Sequence, residues 1–211
     1  VNIVGGCCGT NPDMLCHFFN VAKTKQKTDI CARQPVSAVC SSGKTVVIDG
    51  VKVIGERINP TGKKLFKEAL RNHDIDYILN EGFAQQEKKC HILDVNVGLP
   101  EINEPEMLTE VTESLQAVID LPLQIDTSDV KALENALRVY VGKPLINSVN
   151  GKQESMDAVF PLVAKYGGLV VALTLDESGI PATAEARVSV AKAILAEGKK
   201  YGLSKESPYS G

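Results

Sequence analysis

A chain of 211 residues, 44% hydrophobic and 23% charged, has room for one or two soluble domains with an ordinary core. A formal net charge of -3 argues against the basic face that a nucleic-acid footprint needs, and no run approaches the roughly 18 apolar residues of a membrane helix. The start carries no basic segment followed by an apolar core and cleavage site, so a cytoplasmic protein without nucleic-acid or membrane partners is the default expectation.

Residues 1–23 read as strand, glycine turn and helix: Val1 to Val4, then Gly5-Gly6-Cys7-Cys8-Gly9-Thr10, then Pro12 at a first helical position with Met14, Leu15, Phe18 and Phe19 following. Residues 24–50 change character, with Lys, Gln, Thr, Ser and Pro35, and read as an inter-domain linker holding a hairpin across Ser41-Ser42-Gly43. Residues 51–203 alternate apolar runs with helical patterns. Strand ends recur every roughly 20 to 40 residues, the rhythm of βα units in a barrel whose site gathers at the C-terminal ends of its strands.

The first unit, Val53-Ile54-Gly55-Glu56-Arg57-Ile58-Asn59-Pro60, ends in polar groups and is followed by two helical pieces, one through Leu65 and Leu70, the other through Ile75 and Ile78. Later runs exit into Asp94-Val95-Asn96, Asp126-Thr127-Ser128, Asn147-Ser148 and Asp176. The helix after the second run repeats Leu108, Val111, Leu115 and Val118, and the next is cued by Thr127, Ser128 or Asp129 as N-cap. Pro161 should kink or restart the fourth helix, and Gly202 should stop the fifth. About five strand-helix units are visible where a closed barrel has eight. The fold expected is therefore α/β, a partial TIM (β/α)8 barrel, preceded by the last βα unit of another barrel. The chain opens inside an apolar run and ends, at residues 204–211, where another strand is due, so both ends read as cut and the tail as truncated or aberrant.

Any one polar strand end is ordinarily a helix cap or turn residue. Glu56, Asn59, Asp94, Asn96, Asp126, Asn147 and Asp176 on one rim are harder to explain that way. Acids and amides together suit a nitrogen-rich heterocycle offering donors and acceptors, although paired carboxylates also serve sugar hydrolysis or a hard cation. Six cysteines form no regular ladder and read as reduced thiols. Cys7 and Cys8 lack C-x-x-C spacing and are, on spacing alone, small residues in a tight turn more often than metal ligands. Cys16, Cys31, Cys40, Cys90, His73 and His91 are read as structural.

Gly5-Gly6-Cys7-Cys8-Gly9-Thr10 resembles the last strand and loop of the zinc-dependent homocysteine methyltransferases, in which paired cysteines are two of three zinc thiolates. Gly55-Glu56-Arg57-Ile58-Asn59, Asp94-Val95-Asn96-Val97-Gly98, Ile125-Asp126-Thr127-Ser128 and Ile146-Asn147-Ser148-Val149-Asn150-Gly151 resemble the successive strand ends of the pterin-binding barrel of cobalamin-dependent methionine synthases. The likeness extends to about Gly202. It implies a methyl relay from 5-methyltetrahydrofolate through cobalamin to homocysteine, with Cys7 and Cys8 on zinc. Asp94, Asn96, Asp126 and Asn147 would bond the pterin, Asp126 and Asn147 at the reacting end, with Glu56 and Asn59 on the first loop. The third zinc cysteine would lie before Val1, and cobalamin on a domain or protein outside this sequence. Corrinoid iron-sulfur protein methyltransferases and dihydropteroate synthases share the barrel but leave Gly5 to Thr10 and the linker unexplained; a non-catalytic fragment is the reading from another class.

Overall fold

The computed structural model describes residues 4–25 and 36–203. The chain divides into two units, Val1–Gln34 and Pro35–Gly211. Expectations resting on residues 1–3, on Cys31 and on the tail from 204 fall outside the described residues. No described helix is long and apolar enough to cross a membrane.

In the first unit, Cys7 to Thr10 form a turn closed by Thr10 N–H on the Cys7 carbonyl at 3.0 Å and by Cys7 N–H on Thr10 Oγ1 at 2.8 Å. Helix α1 (Pro12–Lys23) follows, its start fixed by Asn11 Oδ1, which accepts from Met14 N–H, and by Pro12, whose missing N–H costs nothing there.

The second unit opens with an antiparallel hairpin, β1 (Ala38–Cys40) and β2 (Thr45–Val47). Although it lies in the stretch expected as linker, the hairpin is built into this unit. Val39 and Val46 are buried against Ile92, Leu145 and Leu169 at the N-terminal ends of the sheet strands. Cys40 bridges Lys143, and Ser41 Oγ donates to the Asp120 carbonyl. The buried Tyr140 hydroxyl donates to the Cys40 carbonyl at 2.9 Å and accepts from Leu123 N–H at 3.1 Å. A two-stranded hairpin is marginal alone; these contacts let it close the lower end of the sheet.

Five parallel strands stand in sequence order: β3 (Ile54–Ile58), β4 (Ile92–Val95), β5 (Leu123–Asp126), β6 (Leu145–Asn150) and β7 (Leu169–Leu173). Between them run α2 (Lys64–Arg71) and α3 (Ile75–Glu87), α4 (Glu104–Val118), α5 (Val130–Val139) and α6 (Gln153–Tyr166), with α7 (Ala184–Lys200) after the last. The two-piece first crossover is as expected, its break set by Asp74 capping Tyr77 N–H. Leu93, Val95, Leu123, Ile125 and Ile146 are fully buried in the main core, as are Leu108, Val111 and Leu115 of α4; Val118, at the end of that stripe, is exposed instead. At about 25 cal/mol per Å² of apolar surface removed from water, each such side chain contributes about 1.5 to 3 kcal/mol.

Two local expectations fail. Pro161 does not restart α6, which runs as one helix to its C-cap Gly167 at φ 80°. The proline is on the exposed face, where the backbone carbonyl left without its helical donor can bond to water. Strand β3 also extends further than the polar residues suggest, so Glu56 and Arg57 are strand residues rather than loop residues. A register shift between Gly55 and Ile58 frees Arg57 N–H from the ladder, and Gln85 Oε1 accepts it at 2.8 Å. Gly55 is required there, since an added Cβ would lie 2.5 Å from that same Gln85 oxygen.

Candidate functional site

Side chains two residues apart on a strand share a face, so Gln124 and Asp126 project together from β5, and Asp94 on β4 is followed by Asn96 just past the strand's end. The ladder sets Asp94 opposite Gln124 and Asp126 opposite Asn147. Gln124 Nε2 donates to Asp94 Oδ1 in the lower tier, and Asn96 Nδ2 donates to Asp126 Oδ2 at 2.9 Å in the upper. Acid and amide thus exchange strands between tiers. The two carboxylates sit diagonally across the ladder instead of side by side, which lessens their repulsion.

Asp94 is 3% exposed, and burial pushes its carboxyl up to about 6. The Gln124 hydrogen bond opposes that shift, the charges of Asp126 and Glu56 add to it, and a hydrogen bond from Asn59 opposes it. Asp126 is also raised, first by burial, with the Asn96 bond opposing and Glu56 adding. Asn59, itself buried, is held by Thr61 N–H on its Oδ1 at 2.9 Å. Asn96 Oδ1 accepts Gly98 N–H at 2.9 Å, which fixes its amide group as donor toward Asp126. Glu56 faces the same cluster from β3 and is paired with Lys63 Nζ at 3.2 Å.

Asn147 ends the cluster on β6, where its peptide bond to Ser148 is cis and its carbonyl accepts Thr127 N–H at 3.3 Å. Beside Asp126 and Asn147 a cleft of about 360 Å³ opens between the first turns of α5 and α6, with Thr127, Asp129, Ser148 and Lys152 on its walls. Helix α5 is capped by Asp129, whose Oδ1 accepts from Lys131 and Ala132 N–H at 2.8 and 2.9 Å. Asp126 is therefore relieved of capping. Thr127 Oγ1 donates to Glu104 Oε1 and accepts Asp129 N–H, tying the loops after β4 and β5.

The structure thus brings together Glu56, Asn59, Asp94, Asn96, Asp126 and Asn147. It does not add Asp176, which lies beyond β7 in a tight turn, accepting from Ser178 N–H at 2.9 Å and Ser178 Oγ at 2.6 Å. Those bonds hold its carboxyl below the usual range. Gln124 and Lys63 belong to the cluster and escaped sequence reasoning. For Gln124 a signal existed: a polar residue two places before Asp126, inside an otherwise apolar run, must share its face.

Cys7 and Cys8 are both exposed. Among the described residues no group of three His, Cys, Asp or Glu could hold a metal ion, and a tetrahedral zinc site needs at least three protein ligands. These residues alone do not fit zinc. His91 Nδ1 accepts Val53 N–H at 2.9 Å and His73 Nε2 meets Glu110 at 2.8 Å, which accounts for both imidazoles.

Residues 55–207 match the family described as pterin binding enzyme. Methionine synthase of Mycobacterium leprae is 30% identical over 210 residues, covering 92% of this chain, and that of Mycobacterium tuberculosis is 30% identical over 205. The chain spans only 17% of the length of each of these relatives. Methylcorrinoid:tetrahydrofolate methyltransferase of Eubacterium limosum is 34% identical over 155 residues, covering 72% of this chain and 56% of that protein. Among solved structures, 7,8-dihydropteroate synthase of Vibrio fischeri superposes with a TM-score of 0.60 at 20% identity, over 81% of this chain and 64% of that one. At that identity the likeness establishes the shared pterin-barrel fold alone.

Proposed function

The chain belongs to the pterin-binding enzyme family, and from that premise we propose that its strand-end cluster holds the pterin ring of 5-methyltetrahydrofolate during methyl transfer to a corrinoid presented by another domain or protein. The observation that carries this reading is the crossed acid and amide ladder of Asp94, Gln124, Asn96 and Asp126. Each carboxylate has one oxygen engaged by an amide of the neighbouring strand, Asp94 Oδ1 by Gln124 and Asp126 Oδ2 by Asn96. An acidic, amide-lined surface favours a heterocycle rich in N–H donors and disfavours a free phosphate. Curated relatives at 30% to 34% identity are methyltransferases acting with tetrahydrofolate or making methionine, which favours methyl transfer over other uses of the barrel.

Asp94 and Asp126 would accept from the ring N–H and amino groups, with Asn147 bonding at the reacting end. A tertiary amine leaves poorly unless N5 gains a proton, so a hydrogen bond that favours the protonated ring lowers the barrier. The N5–methyl bond breaks, its electron pair remains on N5, and the methyl group passes to the acceptor. The corrinoid supplies the nucleophile. In this reading the chain serves the folate half of a relay that ends at homocysteine; no step is assigned to Cys7 or Cys8.

Calorimetric titration of the chain with 5-methyltetrahydrofolate tests the binding claim, and optical monitoring of free cob(I)alamin during incubation with both tests transfer. Saturable binding of the folate is the expected result. Binding of a dihydropterin pyrophosphate in preference to the folate would overturn it.

A further inference from the structure

We propose that Gln124 is a positioning residue of this site, holding the Asp94 carboxylate so that one oxygen is permanently engaged and the other faces the mouth. The inference rests on the pterin-binding reading. Gln124 is 6% exposed and Asp94 3%, and they lie opposite each other in the β4–β5 register. Two residues before Asp94 on the same strand is Ile92, buried against the hairpin, and the residue opposite Gln124 on its other side is Leu145, so neither of these neighbours offers a side-chain donor. Support for the carboxylate comes from the sides: Gln124 on β5 and Asn59 after β3. The charges facing it are Glu56 from β3, itself paired to Lys63, and Asp126 from β5. Both carboxylates disfavour its ionised form, so the Gln124 amide, ahead of Asn59, keeps Asp94 oriented and available as a carboxylate.

A buried polar side chain flanked in its strand by Leu123 and Ile125 needs a partner to be tolerated, and Asp94 is the one the fold provides. A methionine of similar length would fill the same space without a donor. Removing a hydrogen bond to a carboxylate favours its neutral form, so the pH at which Asp94 ionises must rise in such a variant.

The test uses Gln124→Met, titrated with 5-methyltetrahydrofolate from pH 5 to 8 beside the parent chain, with thermal melts of both. Expected are a ten- to hundredfold weaker affinity at neutral pH, roughly the loss of one charge-assisted hydrogen bond, and a binding midpoint shifted up by about one pH unit. An unchanged midpoint overturns the inference, whether or not the melt changes, because a packing role alone would lower the melting temperature without moving it. Should the variant not fold, the parent chain decides: the Gln124 side-chain amide resonances should titrate with the Asp94 midpoint, and a flat profile overturns the proposal. Absence of folate binding by the parent chain would instead sink the pterin reading, leaving the resonance titration to judge the Gln124–Asp94 link on its own.

Discussion

Asn96 donates its side-chain amide to Asp126 across the β4–β5 ladder at 2.9 Å, while its own oxygen is committed to Gly98 N–H. One oxygen of Asp126 is thereby occupied and the carboxylate aimed. Replacing Asp126 with Asn keeps the shape and an acceptor for Asn96 but removes the charge. Under the proposed function, 5-methyltetrahydrofolate binding should weaken by about 1.5 to 3 kcal/mol, roughly ten- to hundredfold. Since Asp129 caps α5, the melting temperature should hold. Calorimetry beside thermal melts checks both, and unchanged affinity would remove Asp126 from the site.

The complementary substitution is Asp129→Ala. It strips the acceptor from Lys131 and Ala132 N–H, and loss of an N-cap costs about 1 kcal/mol of stability. Denaturant unfolding should show that loss, while Asp129→Asn should restore it. An Asp129→Ala chain as stable as the parent would mean that water replaces the cap.

Asp94 sets stability and binding against each other across pH. Its carboxyl ionises near 6 in the folded chain and near 3.9 in an unfolded one, so between those values the folded state holds the extra proton. Stability is full below about pH 4 and declines as pH rises through 6, by roughly 2 to 3 kcal/mol from this group alone. Under the proposed function folate binding needs the carboxylate, so it should rise over the same interval. Asp94→Asn should therefore be more stable than the parent at pH 7 and bind the folate more weakly; a variant less stable at pH 7 would contradict the burial argument.

Zinc should not be retained stoichiometrically by this chain. Adjacent thiols at Cys7 and Cys8, with no third ligand beside them among the described residues, leave a tetrahedral ion underligated. Metal analysis after dialysis against a mild chelator measures it. One zinc per chain, lost in Cys7→Ala, would require a third ligand.

Strand ends were legible because burial and polarity change abruptly there. Leu93 and Asp94, or Ile125 and Asp126, are neighbours in sequence with opposite solvation needs, and only a strand delivering residues to a rim satisfies both. Helix starts at Pro12, Asp129 and Thr183 follow from capping chemistry that acts over three residues. What escaped depends on contacts far apart in the chain. Nothing around Cys40 or Tyr140 announces that they meet, since the bond between them spans 100 residues. Pro161 misled because its effect depends on which face of α6 it occupies, and Asp176 because a tight turn with Ser178 consumed the carboxylate that a rim position promised.

The hairpin under the sheet has a kinetic consequence. With Val39 and Val46 buried against Ile92, Leu145 and Leu169, the N-terminal ends of the strands are covered, so a ligand at Asp94 is reached from the C-terminal rim, the side from which a bulky methyl acceptor would approach under the proposed function. In that reading the small donor would have to enter before the large acceptor covers the rim, and to leave after the acceptor withdraws.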